Sequence, residues 1–124
     1  MKKIIPLIII ILVFGVYFYT NSQKSVAQEF PDSETELFLF WGEGCPHCEV
    51  VKNYIKNNNL DNQIKISYKE VYGNKDNQNM LSNIVQKCPE IDSSRGVGVP
   101  LAYSTTENKC LYGDTPIIDW LKAR

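Results

Sequence analysis

The sequence predicts an α/β fold with the element order βαβαββα and a four-stranded mixed sheet that has helices on both faces. Three observations predict this fold: a continuous apolar run that suits a buried strand, two segments in which apolar residues recur at helical spacing, and a pair of short apolar strands joined by a polar turn. An N-terminal transmembrane or signal helix precedes the sheet. The chain has 124 residues, which is enough for one domain.

The N-terminal segment, residues 1–23, has the composition of a membrane anchor. Lys2 and Lys3 precede residues 4–19, a run of 16 residues that is almost wholly apolar and carries no charge. A helix of this length spans roughly 24 Å, and tilt or local thinning can fit it to a hydrocarbon core of roughly 30 Å. The aromatic residues 17–19 are typical of a membrane interface. We therefore expect a single-pass anchor with the N-terminus in the cytoplasm and the domain outside.

A cleaved signal peptide is the alternative for the same segment. Ser25, Val26 and Ala27 are small enough to precede a cleavage site, and cleavage there would leave Gln28 as the new N-terminus. The domain would then be secreted rather than tethered.

The segment that follows is polar and aperiodic, so residues 24–36 are predicted to be a linker and residues 37–124 the folded domain. The whole chain has a net charge of −1. Residues 1–27 contain three lysines and no acid, so residues 28–124 carry 10 basic and 14 acidic groups and a net charge of −4. With no basic patch, nucleic acid is not expected as a partner. We expect a monomer.

The first half of the domain predicts a strand, a helix and a second strand. Residues 37–41 form an apolar run of five, as in a strand that is buried on both faces. Pro46 suits the first turn of a helix, whose apolar positions are Val51, Tyr54 and Ile55. A second strand is predicted from apolar residues that alternate with polar ones, namely Ile64, Ile66, Tyr68 and Tyr72.

The second half predicts a helix, a hairpin and a last helix. The helix has one apolar stripe, which consists of Met80, Leu81, Ile84, Val85 and Cys88. After a loop, residues 100–104 and 109–112 form two short strands. Asp114 is expected to cap the last helix, with Pro116 in its first turn and an apolar face made by Ile117, Ile118 and Leu121. The βαβ start implies parallel strands, and the hairpin adds antiparallel ones.

The motif Cys45-Pro46-His47-Cys48 is the chemical feature of the chain, and its residues are compatible with several kinds of site. A structural zinc site usually has two close cysteine pairs, but Cys88 and Cys110 are 22 positions apart. Covalent haem requires a histidine directly after the second cysteine, where this chain has Glu49. We therefore expect neither a metal nor another cofactor.

A structural disulfide and a redox-active dithiol remain as explanations of the motif. A bridge over two residues contributes little to stability, because the gain grows with loop length. The motif also lies between a buried strand and a helix N-terminus, where free backbone amides and the helix dipole stabilise a thiolate on Cys45. Cys48, one turn further on, is placed to resolve a mixed disulfide formed at Cys45. These observations favour redox chemistry, with Pro46 and His47 expected to tune the pKa of Cys45.

The domain resembles the thioredoxin superfamily over residues 37–124, both in its element order and in its Cys-x-x-Cys after the first strand. The stretch from Phe40 to Cys48 is similar to the thioredoxin Phe-Trp-x-Glu-x-Cys sequence, Gly44-Cys45-Pro46 resembles glutaredoxins, and the inner pair Pro46-His47 is that of DsbA-type oxidants. The Gly113-Asp114 pair resembles the end of the glutaredoxin Gly-Gly-x-Asp region. One departure is Leu39, where thioredoxin and DsbA have a buried acid that assists the second cysteine.

The resemblance implies roles for further residues. Val99 and Pro100 match the superfamily's cis-proline, which lies beside the cysteines and holds substrate backbone, and Trp41 is expected to line the substrate site. In this fold the end of the second helix and the start of the last strand meet at the pole opposite the cysteines. Cys88 and Cys110 are therefore a possible structural disulfide.

The function predicted from these features is that of a membrane-tethered, extracytoplasmic thiol-disulfide oxidoreductase. Its partners would be protein thiols or disulfides and a separate redox partner. Two alternatives stay open. One is a glutaredoxin-like disulfide reductase, and the other is a module of the same fold that binds a partner or a metal without turnover.

Overall fold

The computed structural model describes residues 10–17 and 32–124. The elements of the domain follow the order βαβαββα. The four strands are β1 (Leu37–Trp41), β2 (Ile66–Glu70), β3 (Leu101–Ser104) and β4 (Lys109–Tyr112). The three helices are α1 (Pro46–Asn57), α2 (Lys75–Val85) and α3 (Asp114–Lys122), and two 3-10 turns cover Asp32–Glu34 and Leu60–Asn62.

The sheet is mixed and has the strand order β2-β1-β3-β4. Strand β1 is parallel to β2 and antiparallel to β3, and β3 is antiparallel to β4. In the register, Leu39 lies between Tyr68 of β2 and Ala102 of β3. The predicted α/β class and the four-stranded mixed sheet are confirmed. Because β1 is a central strand, its C-terminal end lies in the middle of the sheet edge that the strand ends form. The cysteine motif begins there.

Two apolar cores lie on the two faces of the sheet, which explains why β1 is apolar throughout. On one face, β1 packs against α1 and α3 through Leu37, Leu39, Val51, Ile55, Ile117, Trp120 and Leu121. On the other face, it packs against α2 through Phe38, Phe40, Leu81, Ile84 and Val85. Because neighbouring strand residues point to opposite faces, each face of β1 needs its own apolar side chains.

Strand β2 departs from the predicted alternation of buried and exposed residues. It begins at Ile66 rather than Ile64, and the intervening polar residues Ser67 and Lys69 are also buried. The second core covers that face of β2, so polar side chains there are removed from water. Lys69 keeps its charge paired, since its Nζ lies 3.0 Å from Oδ1 of Asp32.

Residues 32–36, which the sequence places in a linker, fold against the domain. The first three form a 3-10 turn, and Thr35 is buried. The backbone N–H of Glu36 donates to the carbonyl oxygen of Lys65, and the Thr105 hydroxyl donates to the carbonyl oxygen of Thr35 at 2.7 Å. These polar residues satisfy backbone groups at the start of β1, so the described part of the predicted linker packs against the domain.

Two helix ends differ from the predicted ones. Gly113, with φ of 90°, occupies the N-cap position of α3, and Asp114 is the first helical residue rather than the cap. A left-handed φ favours glycine at that position. Helix α2 ends at Val85, so Cys88 lies in the turn after it, where its backbone N–H donates to the carbonyl oxygen of Val85.

Most of the predicted anchor, residues 1–23, lies outside the described residues. Residues 10–17 are helical, and their large apolar side chains are 58–62% exposed. Within residues 10–17 and 32–124, no helix has both the length and the apolar character needed to cross a membrane. The predicted linker is likewise described only from residue 32 onward.

Candidate functional site

The cysteine motif begins where the chain turns sharply out of β1 into α1. Gly44 adopts φ of 74°, a left-handed conformation that suits glycine, and the Cys45 N–H donates to the carbonyl oxygen of Gly42. Cys45 is then the N-cap of α1, and its Sγ accepts a hydrogen bond from the Cys48 N–H at 3.2 Å. Pro46 occupies the first helical position, where the missing N–H of proline leaves no bond unmade.

Cys45 and Cys48 are joined in a disulfide whose Cα atoms are 5.3 Å apart. Both cysteines are buried, and Cys45, at 7% exposure, is the more exposed residue of the two, since Cys48 is only 1% exposed. The N-cap position also favours negative charge on Cys45, because the helix dipole and the Cys48 N–H both stabilise a thiolate there. The geometry therefore suits attack at Cys45 and release of Cys48.

The loop before β3 lies directly against Cys45. The Val99–Pro100 peptide bond is cis, and the Val99 carbonyl oxygen lies 3.6 Å from Sγ of Cys45. A disulfide sulfur has no proton, so this is a contact in the oxidised protein and becomes a possible hydrogen bond in the reduced one. The Gly113 N–H donates to the Pro100 carbonyl oxygen at 3.0 Å, which joins this loop to the start of α3. The structure thus brings Cys45, Val99 and Pro100 together.

Trp41 ends β1 and is partly exposed beside the motif. The Nζ of Lys52, on the second turn of α1, lies 3.9 Å from the centroid of the indole ring. This cation–π contact, together with the ion pair of Lys52 with Glu49, fixes one side of the Trp41 ring. Leu39, two residues earlier, is fully buried in the core beneath α1. An apolar side chain therefore occupies the position at which a buried acid would lie beneath the motif.

His47 contacts α3 rather than the sulfur atoms. Its Nδ1 lies 2.9 Å from Oδ2 of Asp114, and the imidazole is 72% exposed while the carboxylate is 29% exposed. The hydrogen bond from His47 holds the pKa of Asp114 below its usual range, and the Thr115 backbone N–H adds to the effect. The sequence placed Asp114 at this helix start but did not identify it as the partner of His47.

Glu70 organises the loop that leads to Cys45, a role that sequence analysis missed. Its Oε2 accepts the Gly73 N–H at 2.8 Å, and its Oε1 accepts the N–H groups of Tyr72 at 2.7 Å and Glu43 at 3.4 Å. The bond from Gly73, followed by those from Tyr72 and Glu43, lowers the pKa of Glu70. A single carboxylate thus connects the end of β2 to the residues before the motif. The sequence pattern gave no signal for this role, because Glu70 read as one of the polar positions of the predicted strand.

Exposed apolar side chains lie at the same edge of the sheet. They are Val50 at 48%, Tyr72 at 60% and Tyr112 at 51% exposure. A Cβ at Gly42 would lie 2.4 Å from the Tyr72 ring, and a Cβ at Gly98 would lie 3.0 Å from the Tyr112 hydroxyl, so the backbone on both sides of the motif runs close to these rings. The alternation of apolar and polar residues had assigned Tyr72 to β2, but β2 ends at Glu70.

A second disulfide joins Cys88 and Cys110, with 5.9 Å between the Cα atoms. Both residues are buried, and they connect the turn after α2 to the beginning of β4. Strand β4 runs in the direction of β1, so its beginning lies at the edge opposite Cys45. Glu90 completes the group, since its Oε1 accepts the Cys110 N–H. Within the described residues, these three side chains have a spacing that suits a metal ion, but the disulfide removes both thiolates.

Comparisons of the chain with protein-family models, with curated proteins and with solved structures give no match.

Proposed function

We propose that this protein is a thiol-disulfide oxidoreductase of thioredoxin-like fold, held at the outer face of a membrane by its N-terminal segment. The observation that carries the proposal is the placement of Cys45. Its sulfur lies at a helix N-terminus, in a disulfide with Cys48, and 3.6 Å from the backbone carbonyl of Val99. A disulfide placed only for stability would gain little from closing a loop of this length.

The reaction follows from the different positions of the two sulfurs, since Cys45 lies at the N-terminus of α1 and Cys48 lies one turn further on. In the oxidising direction, a substrate thiolate attacks Sγ of Cys45, the bond to Cys48 breaks, and Cys48 leaves as a thiolate. A second substrate thiolate then attacks the substrate sulfur of the mixed disulfide and releases Cys45. The substrate loses two electrons and the Cys45–Cys48 pair gains them, so a separate redox partner must reoxidise the pair. The reverse sequence would reduce a substrate disulfide.

The surface around Cys45 supports a polypeptide as the substrate. The carbonyl group of Val99 is a hydrogen-bond acceptor beside the reacting sulfur, and the exposed side chains of Tyr72, Tyr112 and Val50 offer apolar contacts at the same edge of the sheet. A chain in extended conformation combines backbone donors with side chains of this kind. Trp41 adds a partly exposed ring next to the motif.

Two features support the membrane tether. Residues 4–19 are apolar and follow two lysines, and in the described helix at residues 10–17 the apolar side chains are 58–62% exposed. Exposed apolar side chains in such a run favour a lipid environment. A cleaved signal peptide predicts instead a soluble form that starts near Gln28, and carbonate extraction followed by N-terminal sequencing distinguishes the two.

The experiment that tests the catalytic proposal is the trapping of a mixed disulfide. The Cys48→Ala variant of the full chain keeps Cys45 but loses the resolving sulfur, so a peptide disulfide should form a stable adduct on Cys45. The matched control is Cys45→Ala, in which the remaining sulfur of Cys48 is almost fully buried. Peptide mapping by mass spectrometry identifies the modified cysteine.

Equal adduct formation by both variants would contradict the assigned roles. The absence of an adduct on either variant would remove the oxidoreductase proposal and would favour a module that binds a partner through the same surface.

A further inference from the structure

We propose that Asp114 is a positioning residue that limits the oxidising power of the Cys45–Cys48 pair by holding His47 toward α3. The inference rests on the proposed redox function and specifies how the site is regulated. It starts from the one ion pair that connects the first turn of α1, where the disulfide lies, to the first turn of α3.

The Asp114 carboxylate is fixed from two sides. Its Oδ1 accepts the backbone N–H of Thr115 at 2.8 Å, and its Oδ2 lies 2.9 Å from Nδ1 of His47. The preceding residue, Gly113, donates its N–H to Pro100, which belongs to the loop that contacts Cys45. The carboxylate is therefore attached to the backbone of the site, whereas the imidazole is 72% exposed and has no comparable restraint. The Asp114 carboxylate therefore determines where the imidazole of His47 lies.

The two side chains of the pair have opposite effects on Cys45. Reduction of the disulfide produces a thiolate at Cys45, which a nearby cation or N–H donor stabilises and a nearby anion destabilises. A more stable thiolate makes the disulfide a stronger oxidant. His47 lies two residues after Cys45, but its Nδ1 is directed to Asp114, whose carboxylate is an anion at neutral pH. Asp114 thus holds the imidazole toward α3 and keeps it from turning toward the sulfur.

Asp114→Asn tests this arrangement with little structural change. Asparagine is isosteric, and its side-chain oxygen can still accept the Thr115 N–H. It removes the charge, which frees the imidazole to act on the Cys45 thiolate. The equilibrium constant for reduction of the disulfide by glutathione should rise about threefold to tenfold, and a tenfold change corresponds to about 30 mV for this two-electron couple. The matched control is Asp119→Asn, which removes the same charge from α3 at an exposed residue paired with Lys122.

The route through His47 is tested by repeating the substitution in a His47→Tyr background. Each full-length protein is equilibrated in detergent with glutathione buffers, and the reduced fraction is measured by thiol labelling. If Asp114 acts by holding His47, Asp114→Asn should change the equilibrium constant at least about twofold more in the wild-type background than in the His47→Tyr background. A thermal unfolding curve for each variant confirms that it is folded.

Two results would overturn the inference. One is an equal effect of Asp114→Asn in both backgrounds, which would make Asp114 a distant charge that acts independently of His47. The other is an effect no larger than that of Asp119→Asn. Either result leaves the proposed function intact as long as the wild-type disulfide equilibrates with glutathione. A wild-type disulfide that does not exchange with glutathione would instead refute the proposed function.

Discussion

Removal of the Cys88–Cys110 disulfide is predicted to lower the stability of the domain much more than removal of Cys45–Cys48. The first bridge closes a loop with a sequence separation of 22, and the second closes one of 3. In the chain-entropy treatment, a cross-link removes unfolded-state entropy that grows with the logarithm of loop length. The corresponding contributions to the free energy of unfolding at 25 °C are about 3.4 kcal/mol for the bridge that closes the long loop and about 1.6 kcal/mol for the bridge that closes the short one.

The locations of the two bridges increase this difference. All four cysteines are buried, so replacing either pair with alanine leaves unfilled space, and this cost does not separate the two variants. The Cys45–Cys48 bridge lies at a helix N-terminus, where the reduced form is stabilised as well. A disulfide of that kind contributes less to the free energy of unfolding than its loop length alone would give.

The assay compares urea unfolding of the wild type with the double variants Cys88→Ala/Cys110→Ala and Cys45→Ala/Cys48→Ala, followed by circular dichroism. The first variant should lose about 3 kcal/mol, which moves the urea midpoint down by roughly 1–3 M for slopes that are typical of small domains. The second should lose about 1.8 kcal/mol less than the first, which is the difference between the two loop contributions. Equal losses, or a larger loss for Cys45→Ala/Cys48→Ala, would refute the division into a structural and a redox-active bridge.

Two further predictions concern the loop before the motif. The pKa of Glu70 is lowered in the folded protein, so its stabilising effect is present above the ordinary pKa of a glutamate and is lost as the pH falls through the lowered value. Between pH 6 and pH 3, Glu70→Gln should therefore lose less stability than the wild type, as measured by urea midpoints. The control is Glu49→Gln. An acid dependence of Glu70→Gln equal to that of the wild type would contradict the role of Glu70. A methyl group at position 42 would meet the ring of Tyr72. Gly42→Ala should therefore cost less stability in a Tyr72→Ala background than in the wild-type background. A double-mutant cycle should give a coupling energy of roughly 0.5–3 kcal/mol. Additive costs would show that the Tyr72 ring swings away freely.

The fold could be predicted from the sequence because its strongest signals are local. The apolar run Leu37–Trp41 gives β1 with the same bounds, since a central strand buried on both faces needs apolar residues at every position. Pro46 marks the first residue of α1 for an equally local reason. Strand β2 was harder to predict, because Ser67 and Lys69 are polar in sequence yet covered by the second core.

The candidate site was predictable only in part. The cysteines follow from their spacing and from the strand before them, whereas the contacts between distant segments do not. The pairing of His47 with Asp114 joins residues 67 positions apart, and the hydrogen bond that the Glu43 N–H donates to Glu70 joins residues 27 positions apart. The packing of residues 32–36 against the domain was not predictable for the same reason, since this polar segment is held by partners such as Lys69 and Thr105.

The reduction potential of the Cys45–Cys48 pair in the full chain tests the central claim most directly. The helix N-terminus favours the Cys45 thiolate, so the pair should be more oxidising than thioredoxin, for which the potential is about −270 mV. Because Asp114 holds His47 toward α3, the pair should also be less oxidising than DsbA, at about −120 mV. Equilibration with glutathione, with the reduced cysteines identified by labelling and mass spectrometry, should therefore give a potential between these values for Cys45 and Cys48 only. A potential below about −300 mV, typical of structural disulfides, would contradict the account.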